Sequence, residues 1–159
     1  MINRFFLLFV FTIFILSCGY KVRSEGSLVF NLTEFRLNDP LFIEYRKDME
    51  WNIVENLKNE GLIVDEEKGC PLIIEIKRIR ERTIQSGSDN RQTAKELSFL
   101  IKSRFTLKGK AVYFKSVVKI YKKFPVDSTF FIDERKELAE ELAQKVSLKV
   151  GAWLLNQTF

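Results

Sequence analysis

The chain has 159 residues, 46% of them apolar and 30% charged, the balance of one ordinary globular domain rather than of a disordered or wholly membrane-embedded chain. Lys and Arg number 26 against 21 Asp and Glu, for a net charge of +5, and there is no histidine. That absence removes Ser-His and Cys-His nucleophile pairs, His-ligated zinc and haem sites, and the commonest proton carrier at neutral pH; two cysteines are too few for a four-thiolate metal site.

The first element is an address. Met1 to Ser17 reads MINRFFLLFVFTIFILS, with Arg4 ahead of twelve uncharged residues, Phe5 to Leu16. This run is short of the roughly 20 residues a helix needs to cross the hydrocarbon core, and it has the layout of a secretory signal. It is apolar on every side, so it carries no helical stripe to pack on a core. It ends Ile15-Leu16-Ser17-Cys18-Gly19, which resembles a bacterial lipobox, with Leu16 where a smaller residue is commoner. The resemblance implies a lipid on Cys18 and cleavage before it, and Gly19 after the cysteine implies sorting to the outer membrane. Acyl chains at about 0.8 kcal/mol per buried methylene would hold that terminus on the periplasmic face without a transmembrane helix. The expected organisation is residues 1–17 as signal, 18–26 as acylated cysteine and tether, and 27–159 as a single α+β domain. With Cys18 lipidated, Cys70 has no partner; followed by Pro71 and an Ile-rich run, it reads as a packed small residue rather than a nucleophile.

Ser27 to Phe35 alternates, with Leu28, Phe30 and Leu32 on one face, and predicts a strand. Asp39 and Pro40 then predict a helix over 40–60, with Phe42, Tyr45, Met49, Ile53 and Leu57 as its apolar stripe and Gly61 as its stop. Leu62-Ile63-Val64 is a brief extended piece. Leu72 to Arg82 is a second strand, where Ile74 and Ile76 set against Ile73 and Ile79 imply a bulge or burial on both sides; Gln85 to Gln92 is a polar connection. Leu97 to Leu107 and Ala111 to Phe124 form an antiparallel hairpin about Lys108-Gly109-Lys110, with one apolar and one solvated face. Pro125 ends the strand, and Asp133 caps a last helix whose stripe is Leu138, Leu142, Val146, Val150 and Trp153. The order β-α-β-β-β-α predicts an α+β two-layer sandwich, two amphipathic helices on one face of a four-stranded, mostly antiparallel sheet.

No catalytic constellation stands out. Glu66-Glu67 and Glu140-Glu141 read as solvated charges, and the seven glycines form no phosphate-cradling motif. The pattern with physical content is the solvated face of the hairpin. Lys102, Arg104, Lys115 and Lys119 lie there, with Tyr113 and Tyr121 interleaved and Lys108, Lys110, Lys122 and Lys123 beside them. Such a face either guards a sheet against edge-to-edge aggregation or meets an anionic partner. Nucleic acid is an unsuitable partner for an exported, acylated protein; a phosphorylated glycolipid is the available anion.

Cys18-Gly19-Tyr20-Lys21-Val22-Arg23, the helix-to-strand junction Asn59-Glu60-Gly61-Leu62-Ile63-Val64, and the last helix from Glu137 to Leu155 together resemble the LPS-assembly lipoprotein LptE family. Where that family often has a Gly-rich pair after the tether, this chain has Ser24-Glu25-Gly26. The resemblance implies a non-enzymatic lipoprotein without a cofactor, one that plugs and assists assembly of the β-barrel LptD and contacts lipopolysaccharide during its insertion into the outer leaflet. Two alternatives remain open: an auxiliary lipoprotein of an intermembrane lipid-transport ABC system, and an enzyme acting on cell-wall glycans through Cys70 or a carboxylate pair.

Overall fold

The computed structural model describes residues 28–86, 92–125 and 132–157. The expected signal, Cys18 and the tether lie outside these residues, as does most of the Gln85–Gln92 connection.

Strand β1 (Val29–Asn38) leads through a single 3-10 turn (Ile43–Tyr45) into helix α1 (Arg46–Asn59). Strands β2 (Ile63–Val64), β3 (Cys70–Ser86), β4 (Gln92–Leu107) and β5 (Lys110–Pro125) follow, then helix α2 (Ile132–Leu155). The sheet order is β2-β1-β3-β4-β5, with β1 parallel to both its neighbours and the β3-β4 and β4-β5 pairs antiparallel. The architecture is the expected α+β sandwich with helices on the sheet, and its sheet has five strands rather than four. The fifth is the brief extended piece: Ile63 and Val64 pair with Val29 and Phe30 because the α1 exit returns the chain to the start of β1.

That exit is legible residue by residue. Gly61 at φ 85° donates to the Lys58 carbonyl and Leu62 to the Leu57 carbonyl, the paired bonds of a Schellman turn, with Leu57 and Leu62 both buried beneath it. The entry differs from expectation, since the helix starts at Arg46 rather than near Pro40. Asp39 Oδ1 accepts from the Leu41 amide at 2.8 Å, so Asp39 caps a turn, and the 3-10 segment then swings Phe42 and Tyr45 into the core before regular helix begins. The side chain of Asp133, the expected cap of α2, is outside the described residues.

The core lies between the inner face of the sheet and the two helices. Phe30, Phe35, Leu72, Ile74, Ile76, Phe99, Ile101 and Phe105 meet Met49, Ile53 and Leu57 of α1 and Leu142, Val146 and Val150 of α2. Gly151 lets the helices approach: a Cβ there would sit 3.3 Å from Leu57 Cδ2. Gly69 is tighter, because its α-carbon passes over the backbone of Phe30, where a Cβ would come within 2.3 Å. Trp153 closes one end of the sandwich, stacked on Phe114 at 5.2 Å and edge-on to Phe105 at 6.4 Å. Cys70 is a half-buried free thiol packed against this core.

Beyond Arg78 the sheet continues as a β3-β4-β5 ribbon that β1 no longer flanks, because the last β1 partner is Asn38 opposite Lys77. The β3 side chains from Ile79 to Ile84 are exposed there. Bulges between Arg78 and Arg80 and between Thr83 and Gln85 twist this ribbon, and β3 and β4 run further toward each other than the expected polar connection allowed.

Candidate functional site

Among the described residues the helices cover one face of the sheet, and the other is open to solvent. What faces outward is decided by strand parity, and in β1 by a bulge. Leu32 pairs with Leu72 and Glu34 with Ile73, so Thr33 is the extra residue, and its hydroxyl donates to the Leu72 carbonyl at 3.2 Å. The inserted residue inverts the alternation. Phe35 and Leu37 therefore join Phe30 in the core, while Glu34 and Arg36 turn to the outer face.

The register then lines up two rungs across four strands. One carries Glu34, Ile73, Arg104 and Tyr113; the next carries Arg36, Glu75, Lys102 and Lys115. Together they line a shallow depression of about 440 Å³, with Ile73 as its apolar floor and Tyr113, 72% exposed, as its rim. Four cations here face two carboxylates.

The carboxylates are partly committed. Arg36 holds Glu34 through two hydrogen bonds of 2.6 and 2.8 Å, and this bond, with the nearby charge of Arg104, holds the Glu34 carboxyl below its usual range. Glu75 Oε2 lies 3.8 Å from Lys102 Nζ across the β3-β4 pair. Lys102 in turn stands directly opposite Lys115, an arrangement of like charges that costs energy in an isolated sheet. Among the described residues, Arg104 and Lys115 have no carboxylate at contact distance. These two are the site's unspent positive charge.

All six side chains expected on the solvated face of the hairpin are there, but they do not form one site. Lys102, Arg104, Tyr113 and Lys115 surround the depression. Lys119 and Tyr121 lie further along β5, roughly 13 Å from Lys115 to Lys119 at strand rise. Lys119 Nζ contacts Glu96 Oε1 at 3.1 Å, and the Glu96 carboxyl is held below its usual range by that bond, aided by the hydroxyls of Tyr121 and Ser98. Lys119 and Tyr121 are thus spent on Glu96. The side chains of Lys122 and Lys123 lie outside the described residues.

Glu34, Arg36, Ile73 and Glu75 escaped the sequence reading. The alternation of Ile73 and Glu75 against Ile74 and Ile76 was visible, but no local signal marks Thr33 as a bulge. Among the described residues, no three Cys, Asp and Glu side chains converge to hold a metal ion, and no helix is long and apolar enough to cross a membrane.

Neither a family model nor a curated protein matches the sequence. Among solved structures, the chain is similar to a hypothetical protein from Chlamydia trachomatis, at a TM-score of 0.51 and 7% identity over 82% of this chain and 96% of that one, a likeness of fold alone. It is also similar to a minor lipoprotein from Acinetobacter baumannii, at a TM-score of 0.49 and 14% identity over 80% of this chain and 94% of that one. For rare lipoprotein B from Shewanella oneidensis the TM-score is 0.48, with 14% identity over 78% of this chain and 95% of that one.

Proposed function

We propose that the chain is an outer-membrane lipoprotein, anchored through Cys18, that plugs and assists assembly of an LPS-translocating β-barrel of the LptD type and contacts lipopolysaccharide on the way to the outer leaflet. The leader ending in Leu16-Ser17-Cys18-Gly19 supports the anchor. The observation that carries the contact is the helix-free sheet face, where Arg104 and Lys115 lack carboxylate partners among the described residues and sit beside Ile73 and Tyr113. A phosphorylated amphiphile needs that mixture. Its phosphates take charge-assisted hydrogen bonds from paired cations, and its hydrocarbon lies against an apolar floor. A barrel lumen is lined by polar side chains and water, so a wedge with one charged, aromatic face can be buried there wet.

The reading separates the four hairpin cations Lys102, Arg104, Lys115 and Lys119. Arg104→Glu with Lys115→Glu should weaken lipopolysaccharide binding at least tenfold in vitro, with circular dichroism unchanged. Lys102→Glu and Lys119→Glu should matter less, because Glu75 and Glu96 already hold those ammonium groups. Purification of the tagged chain from detergent extracts should bring down a large β-barrel protein, and mass spectrometry should find the mature terminus acylated at Cys18. An unprocessed leader, or a chain that never copurifies with a barrel, overturns the proposal.

A further inference from the structure

The two edges of the sheet are finished differently. On the β2 side only two residues form the edge strand; the Asp65 backbone amide directly after it donates to the Phe30 carbonyl at 3.0 Å, and further along β1 the Arg46 side chain donates through Nη2 to the Phe35 carbonyl at 2.7 Å. On the other side, β5 is a 16-residue edge strand with an unbroken register to β4.

We propose that the outer edge of β5, which pairs with no strand among the described residues, is a strand-addition site for an extended acidic polypeptide segment. The turn before it is two residues, Lys108 at φ 49° and Gly109 at φ 77°, the paired positive angles of a type I′ hairpin. In that hairpin the flanking pair, Leu107 and Lys110, exchanges both its bonds. Alternation along the register then turns the N–H and C=O of Tyr113, Lys115, Val117, Lys119 and Tyr121 away from β4. An independent contact agrees: Lys145 Nζ reaches from α2 to donate to the Lys119 carbonyl at 2.9 Å, which requires that carbonyl to point outward, and an incoming strand would displace this ammonium there. Beside this edge runs a groove of about 360 Å³ between β5 and α2, floored by Val117, Val118 and Leu148 and flanked by Lys119, Lys145 and Lys149. An incoming strand would lay alternate apolar side chains on Leu148, which is 51% exposed, and the intervening ones beside Lys115, with Lys119 still held by Glu96.

Charge selects the occupant. From Lys108 to Pro125 the chain has six lysines and no acid. Two copies paired antiparallel about Val117 would set Lys115 against Lys119 twice, so a second copy is repelled. Nor does the rest of this chain supply a segment with acids at alternate positions: residues 1–27 carry Arg4, Lys21 and Arg23 against Glu25, 87–91 balance one Asp with one Arg, and 126–131 carry the single acid Asp127. The complement is a partner strand with Glu or Asp at alternate positions.

The test adds synthetic peptides to the full chain in detergent and reads amide hydrogen exchange residue by residue. An eight-residue peptide alternating Glu and Val should slow exchange at Tyr113, Lys115, Val117 and Lys119 at least tenfold. Its Lys-Val counterpart, and a Glu-Val peptide N-methylated at alternate residues, should not. Val117→Pro removes one edge-facing N–H without touching the β4 ladder, and should weaken the Glu-Val peptide at least fivefold. Equal binding by the N-methylated peptide would mean charge attraction without strand pairing and would overturn the proposal. Absence of protection, or dimerisation through β5 without peptide, would do the same, while barrel copurification and acylation of Cys18 would be untouched by any of these results.

Discussion

The two faces of the sheet are made from the same strands by alternate residues, yet they obey different constraints. The inner face is set by volume: Phe99, Ile101 and Phe105 are fully buried under two helices, and each position is fixed by close neighbours. The outer face is set by charge and register. Its pairs, Glu34 with Arg36, Glu75 with Lys102 and Glu96 with Lys119, are solvent-reached and contribute little stability each. Lys102 opposite Lys115 is tolerated there because both ammonium groups reach solvent and Glu75 lies 3.8 Å from Lys102.

Deleting Thr33 attacks the separation of the faces directly. Without the bulge residue, either Leu28 and Phe30 or Phe35 and Leu37 must turn to solvent, a loss of about 3–6 kcal/mol for two large apolar side chains. Denaturant unfolding should show that loss, and a near-neutral deletion would mean that the bulge does not separate the faces. The next largest contrast is within one hairpin. Ile101→Ala empties a buried position and should cost about 2–5 kcal/mol, whereas Tyr113→Ala on the outer face should stay within about 0.5 kcal/mol. Comparable losses at both would mean that the outer face is covered in the folded protein.

The smallest effect is in pH. Glu34, Glu81 and Glu96 have folded pKa values below the ordinary 4.5, held there chiefly by hydrogen bonds from Arg36, Lys95 and Lys119 respectively. A depressed folded pKa stabilises above the unfolded value and loses that contribution as pH falls through the folded one. The unfolding midpoint should therefore be flat with respect to these groups from pH 8 to 6 and decline below about pH 4.5. Glu96→Gln should sit slightly below wild type at pH 7, and the two should converge near pH 3; a gap that widens in acid would reverse the sign assigned to this pair.

Much of this was readable before any coordinates. The period-two patterns of Leu97 to Phe105 and of Val112 to Ile120 named the inner and outer residues of the hairpin, because a strand with one buried face must alternate. The stripe from Phe42 to Leu57 named the buried side of α1, and Gly61 its end, because few other residues adopt φ 85° without strain. The start of α1 was misread because Asp39 and Pro40 suit a turn as well as a helix, and burial of Phe42 and Tyr45 chose the turn.

The site was half legible. Local periodicity placed Lys102, Arg104, Tyr113 and Lys115 on one face, since that depends only on neighbours along the chain. It gave no access to Glu34, Arg36, Ile73 and Glu75, which join them only through pairings 27 to 39 residues apart and through one bulge. By itself the sequence determined which side chains shun water and the sign of the hairpin's charge. Tertiary structure decided which cations lack a carboxylate at contact distance among the described residues, because a carboxylate neutralises a lysine only where the strand register brings the two into contact.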